Sequence, residues 1–229
     1  MESMAFFLPT RKGSERVKNK NTRPFAGIEG GLFVNKLTQL LKTKNIDEIL
    51  ISSNDEICLD YASRFEDSRL KIIERPVELC RSDTNLQDLI TYVPTITDCE
   101  NILWGHVTTP LTTHCEYDEA VARYCEARKN GYDSLIGVTE LKNFLLNGEG
   151  RLVNNTTELQ WPRTQDLEPL YEINHTMFIA GRDCYIDQKN RVGKNPMLYV
   201  MDKIHSFDVD WEEDFLIAET MFKQFADKL

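Results

Sequence analysis

Short apolar runs that end in polar residues recur along this chain, and each is followed by a segment with helical spacing. AFFLP at 5–9 stops at Pro9, the run Ile49 to Ser52 stops at polar residues, and RLKIIE at 69–74 and NILWGHVTTP at 101–110 have the same character. Between them lie segments of period 3.6. GLFVNKLTQLLK at 31–42 places Leu32, Phe33, Leu37, Leu40 and Leu41 on one face, and DEICLDYASRFE at 55–66 begins with Asp55 in a capping position. TNLQDLITYVPTI at 84–96 is helical with an interruption near Pro94, and EYDEAVARYCEARKNG at 116–131 is an amphipathic helix closed by Gly131. YDSLIGVTEL then supplies another strand. Strands alternating with helices predict an α/β fold built on a mainly parallel sheet with right-handed crossovers.

The pattern changes after residue 140. KNFLLNGEGRLVNN has a hairpin signature with NGEG at its turn, and LYEINHTMFIA and PMLYVM are further extended segments. EEDFLIAETMFKQF closes the chain as a helix just after DVD. Residues of about 140–180 are therefore expected to form a small β-rich insertion, either a dimer contact or a flap over the same subunit. The 229 residues fit a single α/β domain around it.

Composition narrows the function. A formal net charge of -10 argues against nucleic acid and acidic membranes as partners. No run of about 18 apolar residues is present, and MESMAFFLPT lacks the basic start and long apolar run of a signal peptide. A cytoplasmic location is the expectation. Cys58, Cys80, Cys99, Cys115, Cys125 and Cys184 are scattered without a C-x-x-C pair, as reduced packing residues would be.

Against that acidic background, LPTRKGSERVKNKN at 8–21 gathers Arg11, Lys12, Arg16, Lys18 and Lys20. A solvated basic loop is one reading. A polyphosphate site is the other: Gly13 and Ser14 let backbone N–H groups approach a ligand, while Arg and Lys reach phosphate oxygens. The segment is neither a Walker loop nor a dinucleotide fingerprint. In a parallel α/β sheet, ligands sit at the carboxyl ends of the strands, where TRKGSER, SSND, GHVTTP and DVD all fall. Asp208 and Asp210 alternate with Val209, so an extended backbone puts both carboxylates on one face. They suit Mg²⁺ beside a triphosphate, or Asp210 caps the last helix.

These segments resemble the acylneuraminate cytidylyltransferases, the CMP-sialic acid synthetases. L-P-T-R-K-G-S-x-R-x-x-x-K-N at 8–21 looks like the N-terminal signature of that family. Ser52-Ser53-Asn54-Asp55 is similar to its S-T-D-D, and Arg75-Pro76-x-x-Leu79 with Ser82-Asp83 to its R-P-x-x-L motif. Thr108-Thr109-Pro110-Leu111 matches T-S-P-L, Gln165-Asp166 precedes Tyr171-Glu172-x-Asn174, and Phe207-Asp208-Val209-Asp210 matches the closing I-D-I-D. The motifs fall in the family's order across residues 5–215.

The resemblance implies a Rossmann-like sheet of the nucleotide-diphospho-sugar transferase type; with the insertion as a contact surface, a homodimer is the expectation. It implies that CTP is coupled to a 2-keto acidic sugar with release of pyrophosphate. Carried over, Arg11 and Lys20 would hold the triphosphate and stabilise its developing charge, with Gly13 and Ser14 in the same loop. Asn21 would contact the nucleotide, Arg75 would recognise the cytosine, and Asp208 and Asp210 would hold Mg²⁺. His106, Arg163, Gln165 and Asn174 would face the sugar acid. Two positions depart from the family: His106 stands where a Gln touches the sugar, and His175 replaces the Gly after Asn174. A 3-deoxy-manno-octulosonate cytidylyltransferase is the enzymatic alternative, although RVKNKN differs from the R-L-P-G-K-P typical there. A non-catalytic nucleotide- or sugar-binding protein on the same fold is the alternative of another class. An RNA-binding module is disfavoured by the charge and the missing aromatic platform.

Overall fold

The computed structural model describes residues 2–81 and 83–225. Ser82 of the R-P-x-x-L segment lies outside the described residues. The elements run β1 (Met4–Pro9), α1 (Gly31–Leu41), β2 (Glu48–Ser53), α2 (Glu56–Ser63), β3 (Leu70–Glu74), α3 (Leu86–Tyr92), β4 (Asn101–Gly105), α4 (His114–Lys129), β5 (Ser134–Leu141), β6 (Leu170–Gly181), α5 (Arg182–Asp187), β7 (Pro196–Met201) and α6 (Glu212–Phe225). The strands form one seven-stranded sheet in the order β3-β2-β1-β4-β6-β5-β7. β1 pairs in parallel with β2 and β4, β2 with β3, and β5 with β7, whereas β6 runs antiparallel to both β4 and β5.

Successive side chains of a strand face opposite ways, so the sheet buries two cores. Phe6 and Leu8 pack with Phe33, Leu37, Tyr117 and Phe215 on one face, under α1, α4 and α6. Phe7 and Trp104 pack with Val93, Phe178 and Tyr185 on the other, under α3 and α5. Asp55 caps α2 as the sequence predicts, accepting from the Ile57 N–H at 3.1 Å. α4 begins earlier than its amphipathic run suggests, because Thr113 and Glu116 form a reciprocal capping box. The helix expected over 84–96 is α3 followed by a short 3₁₀ turn at Val93–Thr95, with Pro94 at its start.

One expectation is corrected. The β-rich insertion does not extend to residue 180, because residues 170–181 are β6, an interior strand of the sheet between β4 and β5. The continuous apolar run at its end is a strand buried on both faces, not an appendage. What lies outside the sheet is 142–169. Its hairpin is a single bridge between Leu146 and Leu152, and Asn154 ties it down through the carbonyls of Asn143 at 2.8 Å and Glu168 at 3.3 Å. Among the described residues, no helix is long and apolar enough to cross a membrane.

Candidate active site

The loop after β1 is held by the end of β2. Thr10 N–H donates to the Ser52 carbonyl at 3.0 Å, and Lys12 N–H to Asn54 Oδ1 at 3.0 Å. Gly13 then turns through φ +84°, a left-handed conformation that a side chain would strain. Val17 drops into the core and Asn19 makes a second left-handed turn, φ 52°. The loop folds back on itself, so that Asn21 Nδ2 donates to the Arg11 carbonyl at 3.3 Å. Arg11, Ser14, Arg16, Lys20 and Asn21 thereby line one cavity of about 430 Å³ together with His106 and Thr108. Lys18 is exposed and lines none of the cavities described here.

Lys20 reaches across to the segment before α6. Its Nζ donates to the Val209 carbonyl at 2.7 Å and lies 3.9 Å from the Asp210 carboxylate. Burial pulls the Lys20 ammonium below its ordinary value, against the opposing pull of Asp210 and Asp208. Val209 N–H is fixed in turn by the Thr108 carbonyl at 2.8 Å. Asp208 is raised, first by desolvation, while a hydrogen bond from Thr108 lowers it and the Asp210 charge raises it further. Asp208 Oδ1 is buried without a hydrogen-bond partner. Asp210 is half-exposed and faces Arg16 at 2.8 Å. Asp210 accepts no hydrogen bond from the first turn of α6 among the described residues; Asp214, in that turn, reaches back instead and accepts from the N–H groups of Asp210 at 3.0 Å and Trp211 at 2.8 Å.

A buried carboxylate oxygen with no donor beside a second carboxylate fits a hard cation. Mg²⁺ is held through one or two carboxylates with phosphate oxygens completing its shell. Among the described residues, no group of three or more His, Cys, Asp or Glu side chains is placed to hold a metal. The pair fits Mg²⁺ only as part of a metal–triphosphate complex.

Arg75 supplies a third wall. It is buried, its Nη2 donates to the Thr10 carbonyl at 2.6 Å and its Nε to Cys80 Sγ at 3.2 Å, and its Nη1 has no partner. It lines a cavity of about 350 Å³ that shares Pro9, Thr10 and Arg11 with the first. Asn174, Asp208 and Asp210 line another, of about 540 Å³.

Three of the expected site residues do not line these cavities: Gly13, Arg163 and Gln165. Gly13 serves the backbone turn. Arg163 is exposed and engages Asp166 through two hydrogen bonds, at 2.8 and 2.9 Å, in the stretch outside the sheet. The structure therefore does not bring Arg163 and Gln165 to the cleft. His106 is placed at its edge, but both ring nitrogens are spent inside the protein. Nε2 accepts from Trp104 Nε1–H at 3.2 Å, and Nδ1–H donates to the His175 carbonyl at 2.8 Å. Desolvation, backed by the Arg191 charge, pushes His106 down to about 3, so the ring stays neutral.

Sequence reasoning missed Lys36. It is fully buried, and its Nζ donates to the carbonyls of Thr109 at 2.8 Å and Thr112 at 3.3 Å and to Tyr117 Oη at 2.6 Å. Burial drives it down to about 7. It fixes the turn after β4 from which Thr108 holds Val209. The available signal was a lysine spaced four and three residues from Leu32 and Phe33 and four from Leu40, on the apolar face of α1.

A family model described as "Cytidylyltransferase" matches residues 5–217. The chain belongs to the cytidylyltransferase family. It is 25% identical over 230 residues to an N-acylneuraminate cytidylyltransferase of Streptococcus agalactiae serotype V, covering 91% of this chain and 51% of the relative. It is 26% identical over 232 residues to a CMP-N,N'-diacetyllegionaminic acid synthase of Campylobacter jejuni, covering 91% and 90%. The chain thus spans about half the length of the streptococcal relative and nearly all of the other. Among solved structures, CMP:2-keto-3-deoxy-manno-octonic acid synthetase complexed with CTP superposes with a TM-score of 0.67 at 10% identity, over 97% of this chain and 99% of that one. That likeness establishes the fold, a Rossmann-like, mainly parallel α/β sheet.

Proposed function

We propose that this cytidylyltransferase couples CTP to a 2-keto acidic sugar of the nonulosonic acid class, giving the CMP-sugar and pyrophosphate. The observation that carries the reading is the convergence of Lys20 on the Asp208–Asp210 segment at the carboxyl ends of β1 and β4. Cation and carboxylates meet where a metal–triphosphate complex needs both. The unpartnered Arg75 Nη1, one cavity away, is a donor suited to a cytosine edge. In the reaction, a sugar hydroxyl oxygen forms the bond to the α-phosphorus, the bond from that phosphorus to the α–β bridging oxygen breaks with the electron pair leaving on pyrophosphate, and the hydroxyl proton passes to solvent. Arg11 and Lys20 would take up the charge passing to pyrophosphate, since donors already aimed at developing charge lower the barrier. Asp208 and Asp210 would hold Mg²⁺, which supplies charge neutralisation on the phosphates when bound.

The relatives named for sialic and legionaminic acids favour a nonulosonic acceptor over 3-deoxy-manno-octulosonate, whose synthetase shares the fold alone. The six cysteines are free thiols, which fits a reducing compartment and a cytoplasmic enzyme. We also infer a homodimer through β5–β7. Tyr171, Ile173, Leu198 and Val200 are exposed apolar side chains, and the register places Val200, Val138 and Ile173 in one row on one face. Light scattering on the purified chain should give twice the 26.6 kDa monomer mass.

The test is a panel of 2-keto sugar acids incubated with CTP and Mg²⁺ and scored by pyrophosphate release under single-turnover conditions. Release with a nonulosonic acid and not with 3-deoxy-manno-octulosonate is the expected result. Binding of CTP without turnover on any acceptor would mark the chain as a non-catalytic binding protein instead.

A further inference from the structure

The two departures from the family pattern, His106 and His175, lie 69 residues apart in sequence and touch in the structure. The contact is made by a distortion of β6. Ile136 of β5 pairs with Phe178 and Val138 with Ile173, so the intervening stretch of β6 is looped out of register opposite Gly137. A Cβ at Gly137 would lie 2.4 Å from Thr176 Oγ1 and 2.9 Å from Asn174 Oδ1, so the glycine is what gives the bulge its room. Asn174 Oδ1 spans the bulge, accepting from Thr176 N–H at 3.2 Å and Thr176 Oγ1–H at 2.6 Å. His175 is left at its apex with φ 58°, a left-handed conformation that costs a residue with a Cβ on the order of 1 kcal/mol.

Bulges next to active sites re-aim side chains, and a strained backbone persists only where its surroundings impose it. Here the strain turns the His175 carbonyl onto His106 Nδ1–H and sends the His175 ring into the cleft. The ring lines the cavity that also holds Asn174, Asp208 and Asp210. His106 cannot answer a ligand with either nitrogen, and Asn174 is tied down by Thr176 at its Oδ1 and by Thr139 at 3.3 Å from its Nδ2. Arg191 closes the back of this arrangement, its guanidinium 3.8 Å from the Phe178 ring and 4.9 Å from Trp104. His175 is exposed, and among the described residues its ring makes no hydrogen bond.

We propose that His175 is a specificity-determining residue for the acceptor, its imidazole hydrogen-bonding a hydroxyl or acylamino group of the acidic sugar. His106 is a positioning residue that holds the bulge in place. The inference rests on the acceptor reading given above.

The experiment compares wild type, His175→Gly and His175→Asn in pyrophosphate release, with CTP and Mg²⁺ and sugar acids that differ in their hydroxyl and acylamino groups. Glycine takes the left-handed backbone freely, so His175→Gly should melt at or above wild type and keep the KM for CTP within about twofold. Its kcat/KM for the best wild-type acceptor should fall about fivefold, the factor one hydrogen bond of ordinary net strength supplies, and its ranking of acceptors should flatten. His175→Asn, which tolerates the same backbone and keeps a polar tip, should recover part of the loss. A purely structural role would lower the melting temperature or act on CTP as well. If His175→Gly keeps the wild-type ranking and every kcat/KM within twofold, the inference is overturned while the enzyme reading stands. If wild type releases no pyrophosphate with any acceptor on the panel, the acceptor reading fails and takes this inference with it.

Discussion

Asp208→Asn and Asp210→Asn should behave alike in turnover and differently in stability. Asp208 is desolvated, one of its oxygens has no donor, and the neighbouring Asp210 charge works against its ionised form. A neutral amide removes a charge the empty fold does not pair, so the ligand-free melt of Asp208→Asn should equal or exceed wild type. Asp210 differs because its ion pair with Arg16 at 2.8 Å is about half-exposed on both sides. Such a pair contributes about 1 kcal/mol at most. For a chain of this size that is a melting shift of about 2–4 °C downward. Mg²⁺ and CTP at about 100 times their dissociation constant should stabilise wild type by about 2.7 kcal/mol, or about 5–11 °C. Both variants should lose most of that upshift and at least about 10²-fold in pyrophosphate release. The pH dependence carries the same sign. Asp208 is raised in the folded state, so the native protein holds that proton to higher pH than the unfolded chain. Ligand-free stability then falls as pH rises from the unfolded carboxyl value, about 3.9, through the folded one. Asp208→Asn should flatten that part of the profile. Scanning calorimetry with and without CTP–Mg²⁺ reads all of this. An Asp208→Asn protein that melts early, yet keeps its ligand upshift and its turnover, would refute the argument.

Lys20→Ala should cost at least about 10²-fold in kcat/KM, whereas exposed Lys18→Ala should be nearly silent in the same steady-state assay. Equal damage from both would mean that the loop after β1 does not present Lys20 to the triphosphate. Arg75→Ala should erode the preference for CTP over UTP and, because the buried guanidinium also holds the Thr10 carbonyl, cost about 1.5–3 kcal/mol in urea denaturation. Equal loss with both nucleotides would assign Arg75 to support of the loop alone. Lys36→Met should lower stability by about 2 kcal/mol, since it strips the donor from Thr112 and Tyr117. Lys36 sheds its proton near 7 when folded but not when unfolded, so wild-type stability should climb with pH above about 7, and the variant should lack that climb in denaturation series at several pH values.

Much of the scaffold could be read from apolar spacing. β1 to β5, the capping Asp55 and the carboxyl-end clusters are all local patterns, and local patterns survive folding when burial agrees with them. The Thr113–Glu116 capping box was equally local but preceded the apolar run used to mark the helix start. β6 was harder. Its first half is exposed and its second half buried on both faces, so neither a period of two nor a helical period describes it. The least readable features were pairings across long sequence separations. Lys36 gains its meaning from carbonyls more than seventy residues away, and His106 from a backbone carbonyl at the tip of a bulge. Residue type shows neither, because the partner atoms belong to the main chain. Arg163 and Gln165 went the other way: a motif match carried them toward the cleft, and an ion pair with Asp166 outside the sheet holds Arg163 elsewhere.

The reversed strand explains why the acceptor side of the cleft should vary more readily than the nucleotide side. In a parallel sheet every strand delivers its carboxyl end to the ligand, and Arg11, Lys20, Arg75 and Thr108 all follow strands in that sense. β6 runs the other way, so it brings its amino-terminal half to the same edge. The chain leaves the sheet at Leu141, traverses 142–169 and re-enters opposite the same residue at Leu170, at the mouth of the cleft. Changes in that excursion alter what stands at the mouth without touching the β1–β2–β4 framework on which the triphosphate contacts depend. The bulge at Asn174–Thr176 is the first point where the returning strand meets the turn after β4. A side chain at its apex is anchored by the sheet on both flanks and free only toward the cavity. A short insertion or deletion within 147–151, at the tip of the hairpin, should therefore leave CTP affinity within about twofold, since loop length alone carries a small entropic cost. Shortening the chain between Asn154 and Leu170 should instead pull on β6, disturb the Asn174–Thr176 bulge and weaken acceptor use before nucleotide binding. Isothermal titration with CTP beside acceptor KM measurements distinguishes the two. If the second deletion weakens CTP binding first, the division of the cleft between forward and reversed strands is wrong.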